Sequence, residues 1–205
     1  MEILLNIERE KENFKDHVAT FTDLGNIKIL DFKKPGSSHY RIRFLFEEDY
    51  YRLHISGDLG ELTATNFTNM CYEHFGDFVR DVGYFEQKID CHSRSLYVYE
   101  PEKVTEDLNR ILDEMEYEFV PESWDSRTPE ELREEFIENM QDEIYVKSGL
   151  TAEGYALLHE IDPDCFEYAE DIGKVRTGIL DLYMLAFELA QEQLSQNEKT
   201  EGEEK

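Results

Sequence analysis

Glu131, Glu135, Glu138 and Asp142 recur at i, i+4, i+7 and i+11, a spacing that puts four carboxylates on one stripe of a helix. A rise of about 1.5 Å per residue sets successive groups roughly 5–6 Å apart along the axis. That is of the order of the phosphate repeat of a nucleic-acid strand, about 3.4 Å of axis per phosphate and longer along the strand. Glu130, Glu134 and Glu143 widen the stripe. Asp113, Glu114, Glu116 and Glu118 cluster at the end of the preceding predicted helix, where the helix dipole disfavours negative charge, so local stability does not account for them. The chemistry open to such rows is electrostatic. They are either fixed stand-ins for phosphates that meet a basic protein surface, with Trp124 and Tyr117 nearby as aromatic anchors, or a solvated acidic face.

Other reactive residues are sparser. Cys71-x-x-His74 and Cys91-His92 offer zinc-ligand types, but adjacent Cys and His do not readily ligate together, and no second C-x-x-C or H-x-x-x-H completes a site. They read as buried or incidental groups, and no metal or other cofactor is expected. Asp58 beside His54 offers an acid/base pair, yet an Asp in Gly57-Asp58-Leu59-Gly60 is first a turn former. There is no G-x-S-x-G, no Walker loop and no H-E-x-x-H. No catalytic residue is assigned. Arg41, Arg43, Arg52 and Lys88 are expected to hold the acidic half through salt bridges.

The charge distribution sharpens this. The net charge of the 205-residue chain is −27. Residues 1–100 carry 12 Lys/Arg and 18 Asp/Glu, and residues 101–205 carry 9 and 30, so the halves differ as −6 and −21. Solubility needs a net charge of only about 2–8. Phosphate recognition needs clustered Lys and Arg, so direct binding to nucleic acid is disfavoured, as is an anionic membrane surface, and a basic protein is the natural partner. No stretch approaches the about eighteen apolar residues of a membrane span, and the N-terminus lacks the basic-then-apolar order of a secretory signal. Three cysteines without such a signal read as reduced thiols in a cytoplasm.

The elements that must position these groups follow from periodicity. A polar helix is expected over residues 8–20, then strands at Asn26–Phe32, Tyr40–Phe46, Tyr51–Ser56 and Glu61–Thr65, an antiparallel meander with Ile42, Phe44 and Phe46 on one face. A helix over about Thr68–Val82, capped by Asn66 or Thr68 and ended by Gly83, precedes a strand at Leu96–Tyr99. A helix from Pro101 to about Glu118 carries the stripe Val104, Leu108, Ile111, Leu112 and Met115. Thr128-Pro129-Glu130-Glu131 is a capping box opening a helix to about Lys147, buried through Leu132, Phe136, Met140 and Ile144. After a short helix at Ala152–Glu160, a greasy helix over about 174–194 is either central in a bundle or an oligomer contact, which would then be that of a homodimer. The fold class is α+β: a small antiparallel meander of three to five strands packed with helices, followed by an acidic helical half. The expected divisions are 1–100, 101–194 and a disordered tail, 195–205.

At Lys34-Pro35-Gly36-Ser37-Ser38, Ser56-Gly57-Asp58-Leu59-Gly60 and Val82-Gly83-Tyr84-Phe85, the chain resembles small proteins of Gram-positive phages and integrative elements. The resemblance spans residues 30–100, with a weaker echo in the last helix. It implies a cytoplasmic protein of the bacterial host. Some acidic proteins of such elements are anti-CRISPR or other anti-defence inhibitors, which implies a basic nucleic-acid-binding partner such as a CRISPR effector nuclease. The helix 129–147 lies outside that stretch, so there the inhibitor expectation rests on charge. The alternatives are a metal-dependent nuclease or hydrolase using the turn 57–61, and an oligomeric accessory protein.

Overall fold

The computed structural model describes residues 5–145 and 148–203. Along the chain run α1 (Ile7–Phe14), β1 (Val18–Asp23), β2 (Ile27–Lys33), β3 (Ile42–Glu47), β4 (Arg52–Gly57), β5 (Leu62–Thr65), α2 (Phe75–Arg80), α3 (Val82–Glu86) and β6 (Ile89–His92). Then come β7 (Tyr97–Tyr99), α4 (Pro101–Glu114), α5 (Pro129–Asp142), β8 (Ile144–Tyr145), β9 (Gly149–Leu150), α6 (Ala152–Ile161), β10 (Lys174–Arg176) and α7 (Ile179–Glu203). The architecture is α+β. No helix among the described residues is long and apolar enough to cross a membrane.

The chain divides into two compact units. The sheet unit comprises residues 5–96 and the segment from Gly178 onward. Its six strands pair antiparallel in the order β1-β2-β3-β4-β5-β6, an uninterrupted meander one strand beyond the expected maximum. Alternation along the strands makes one apolar face: Leu30 and Phe32, then Ile42, Phe44 and Phe46, then Leu53 and Ile55, then Leu62 and Ala64. α7 lies in the same core through Leu180, Tyr183, Met184, Phe187 and Ala190, together with Phe75, Phe78 and Phe85. The Phe187 ring meets Phe75 at 4.8 Å and Phe44 at 5.4 Å, both edge-on. Gly57, at φ +147°, lets β4 end tightly against β3, since a Cβ there would meet the Arg41 carbonyl oxygen at 2.0 Å.

The acidic unit spans residues 97–177. α4 buries Val104, Leu108, Ile111 and Leu112, and α5 buries Ile137 and Met140, in a core completed by Leu158, Cys165, Ala169 and Ile172. Met115, expected in the α4 stripe, is instead 39 % exposed, because the helix ends at Glu114. Asp107 is buried on α4, pairs with Lys103 at 2.9 Å and accepts the Gly173 backbone N–H at 3.0 Å. One carboxylate thus fixes the turn into β10, which pairs antiparallel with β7.

Several expectations are corrected. The division at residue 100 fails in the C-terminal part, because the last helix belongs to the sheet unit and not to the acidic helical half. Residues 174–176 are strand, and the helix begins only at Ile179, after Gly178 at φ +77°. Of the tail expected at 195–205, the residues up to Glu203 continue α7, and 204–205 lie outside the described residues. Leu180, Leu182, Tyr183, Met184, Leu185, Ala186, Phe187 and Ala190 of this helix are buried in the core of its own unit. The helix expected over 68–82 is two short ones, because Asp81 interrupts the pattern and accepts from the Tyr84 backbone N–H at 2.9 Å, capping α3. Gly83 therefore lies inside a helix. The expected helix end at Lys147 lies outside the described residues, and α5 stops at Asp142.

Candidate acidic interface

α5 starts as its capping box demands. Thr128 Oγ1 accepts from the Glu131 backbone N–H at 3.2 Å, and Glu131 accepts from the Thr128 backbone N–H at 2.7 Å. Ile137 and Met140 turn the helix against α4, while Leu132, Phe136 and Ile144 are half-buried. The opposite side therefore presents the carboxylates, and Glu130, Glu131, Glu134, Glu135, Glu138 and Asp142 are all exposed.

These carboxylates fall into two sets. Glu131 closes its own cap. Glu135 pairs with Arg127, whose guanidinium also binds Asp125 and holds that carboxyl down to about 2. Glu143 is half-buried and accepts from the Thr151 hydroxyl. Asp113 pairs with Arg133 at 2.7 Å, and Glu114 with Arg110 at 3.2 Å. By contrast, Glu130, Glu134, Glu138 and Asp142 have no ion pair or hydrogen bond among the described residues. Glu130, Glu134 and Glu138, at i, i+4 and i+8, line one side of an open groove between α5 and α4, of about 520 Å³. Ile137, Thr105 and Asn109 also line it, and Arg133 is tied back to Asn109 at 3.0 Å. Glu116 follows α4 at φ +52°, and Trp124 stands 80 % exposed in the α4–α5 loop. Helical spacing points to α5 and its exposed side. It does not separate the carboxylates that have partners from those that lack them, because Arg127 reaches Glu135 from the loop before α5, Arg133 reaches across from α5 itself to Asp113, and Thr151 reaches Glu143 from beyond the helix.

Between residues 97 and 177 there are 24 Asp/Glu and seven Lys/Arg, a net of −17, so most carboxylates in this unit cannot be neutralised by it. The cations of the sheet do not supply the difference in the way expected. Arg43 binds Asp31 through two bonds of 2.8 Å, Arg52 lies 3.6 Å from Glu47, and the Lys88 ammonium sits 4.3 Å over the Tyr84 ring, all within the sheet unit.

The other reactive groups are placed as follows. Glu48, Cys71 and Glu73 bring three ligand-type atoms within 4.8 Å of one another, while His74 is exposed at the start of α2. The Lys28 ammonium binds Glu73 and lies 3.2 Å from Glu48, so a cation already balances these acids, and burial pushes the Cys71 thiol up. Cys91 and His92 are exposed neighbours on β6, where side chains alternate in direction. Asp58 accepts the Tyr40 backbone N–H at 2.9 Å, as a turn residue does. The carboxylate beside His54 is Glu47 at 3.0 Å, with Thr63 at 3.3 Å on the other ring nitrogen. That carboxylate–imidazole–hydroxyl order spans β3, β4 and β5 on the side of the sheet away from its core, and only cross-strand register brings it together.

Compared with protein families, characterised proteins and solved structures, the chain shows no match.

Proposed function

We propose that the protein is an inhibitory binding protein of a mobile element, and that its acidic α4–α5 face occupies the basic nucleic-acid-binding surface of a host defence nuclease. A CRISPR effector is the kind of partner that the resemblance suggests. The observation that carries the reading is the row Glu130, Glu134, Glu138 and Asp142, unneutralised in a unit of net −17. Rigidly spaced carboxylates steer a basic partner over long range and compete with phosphates for its cations. Glu135 and Asp113 sit in exposed ion pairs worth about 0–1 kcal/mol each, so they can exchange partners and add to the face.

The test is capture of partners by tagged protein from a nuclease-treated lysate of a Gram-positive host, beside Glu130→Gln, Glu134→Gln, Glu138→Gln, Asp142→Asn. The reading expects one basic nucleic-acid enzyme, retained by the native chain and held about tenfold or more weakly by the variant. Equal retention of the same set by both proteins overturns it.

The Glu47–His54–Thr63 chain of hydrogen bonds favours the hydrolase alternative, with His54 as the base and no part for Asp58. Incubation with RNA and DNA, with magnesium or with chelator, tests it. Cleavage lost in His54→Asn would support that reading, and cleavage equal to a blank would remove it.

A further inference from the structure

Three exposed aromatic rings gather around one groove in the sheet unit. Phe67 is 91 % exposed, Tyr50 68 % and Tyr51 39 %, and with Gln87, Lys88, Ile89 and Asp90 they line a groove of about 510 Å³, the Lys88 ammonium being engaged 4.3 Å over the Tyr84 ring. Isolated exposed apolar residues need no explanation, but three rings around one groove do. Their backbone is fixed. Tyr51 is held at φ +48°, uncommon for a bulky residue, with its N–H bonded to Glu48 and its carbonyl oxygen accepting from the Asn66 N–H at 3.1 Å. The residue before Phe67 is thus tied to Tyr51. Asp90 accepts from the Thr65 hydroxyl at 3.2 Å.

The occupant follows from charge and ring chemistry. Cations already stack on phenol rings at this end of the sheet: the Arg52 guanidinium lies 5.9 Å over Tyr50, and the Lys88 ammonium covers Tyr84. A chain of net −27 concentrates cationic partners at its surface. Aromatic faces beside a carboxylate suit a guanidinium, which is planar, weakly hydrated and able to stack and hydrogen-bond together. We propose that the Tyr50–Tyr51–Phe67 groove is a docking point for an arginine side chain of a basic protein partner, with the guanidinium stacked on the rings and paired with Asp90. This rests on the reading of the protein as a binder of basic proteins, and it adds an arginine-selective contact to a charge-driven one.

Two nonapeptides of equal charge, one bearing arginines and one bearing lysines at the same positions, are titrated into the full chain at fixed ionic strength. The proteins are the native chain, Tyr50→Ala with Phe67→Ala, and the four-carboxylate α5 variant. The arginine peptide should bind about three- to tenfold tighter than the lysine peptide. The aromatic double variant should bring that ratio to about one without changing the lysine affinity. Equal native affinities, or a ratio that survives the double variant, would overturn the proposal. The α5 variant should weaken both peptides alike and keep the ratio. If it weakens neither while the ratio stands, the acidic-face reading falls and the groove stands alone.

Discussion

His17 shows how one side chain couples burial to pH. It is 2 % exposed, packed edge-on to Phe14 at 5.1 Å and against Phe32 at 5.2 Å. Its ring nitrogens approach the backbone of His39 and Tyr40, but neither makes a well-aligned hydrogen bond. Burial holds its affinity for a proton below the ordinary value of 6.5. The unfolded chain binds that proton more readily, so the stability from neutral His17 is present above about pH 6.5 and is lost as pH falls through the lower folded value. Denaturant unfolding between pH 7 and pH 5 should show stability falling for the native chain and a flatter dependence for His17→Leu; parallel curves would contradict this. At the start of α5, Thr128→Ala should cost about 1 kcal/mol in the same measurement, because it orphans the Glu131 backbone N–H. Local chemistry of this kind was legible: Thr128, Pro129 and Glu131 stand within four residues and need nothing else to specify their structure. The acids around Cys71 were not. Glu48 reaches it only because the turn after β3 faces the loop before α2, so Cys71-x-x-His74 pointed to the wrong neighbour.

Elements repeat the contrast between local and long-range information. Ile42, Phe44 and Phe46 are all buried, as two-residue alternation requires, and the α4 stripe holds at Val104, Leu108, Ile111 and Leu112. The helix expected over 8–20 ends at Phe14, and its last residues, Val18 to Thr20, begin β1, where Val18, Thr20 and Thr22 alternate with Ala19 and Phe21; the polar run from Glu8 to Lys15 hides that boundary in the sequence. β6 carries Asp90, Cys91 and His92 at an exposed sheet edge, with no apolar alternation to reveal it. The destination of α7 is set by tertiary packing. Its residues from Leu182 to Phe187 are all buried, so its apolar circumference means a core position, but not which core. A chain ended at residue 177 should therefore lose the sheet unit, seen as lost strand signal in far-UV circular dichroism. A retained sheet would contradict the placement of α7. More finely, Phe187→Ala should destabilise by about 3–5 kcal/mol through the cavity left against Phe44 and Phe75.

At the scale of the whole molecule, the charge of −27 is the property that packing does not explain. Such an excess destabilises a compact state through self-repulsion, so salt should raise the stability of the native chain while weakening its hold on a basic partner. The composition showed the excess and the helical spacing showed its place on α5. Which carboxylates have no partner became visible only when Arg127 and Arg133 took their positions. The central claim is that the acidic face competes with nucleic acid for one protein surface. Its most direct measurement is displacement of a fluorescent oligonucleotide from the captured basic protein, with rising concentrations of the native chain or of the Glu130, Glu134, Glu138 and Asp142 variant, at two ionic strengths. Displacement by the native chain should weaken steeply with salt and be lost in the variant. An oligonucleotide that stays bound at saturating native chain, or that the variant displaces equally well, would contradict it.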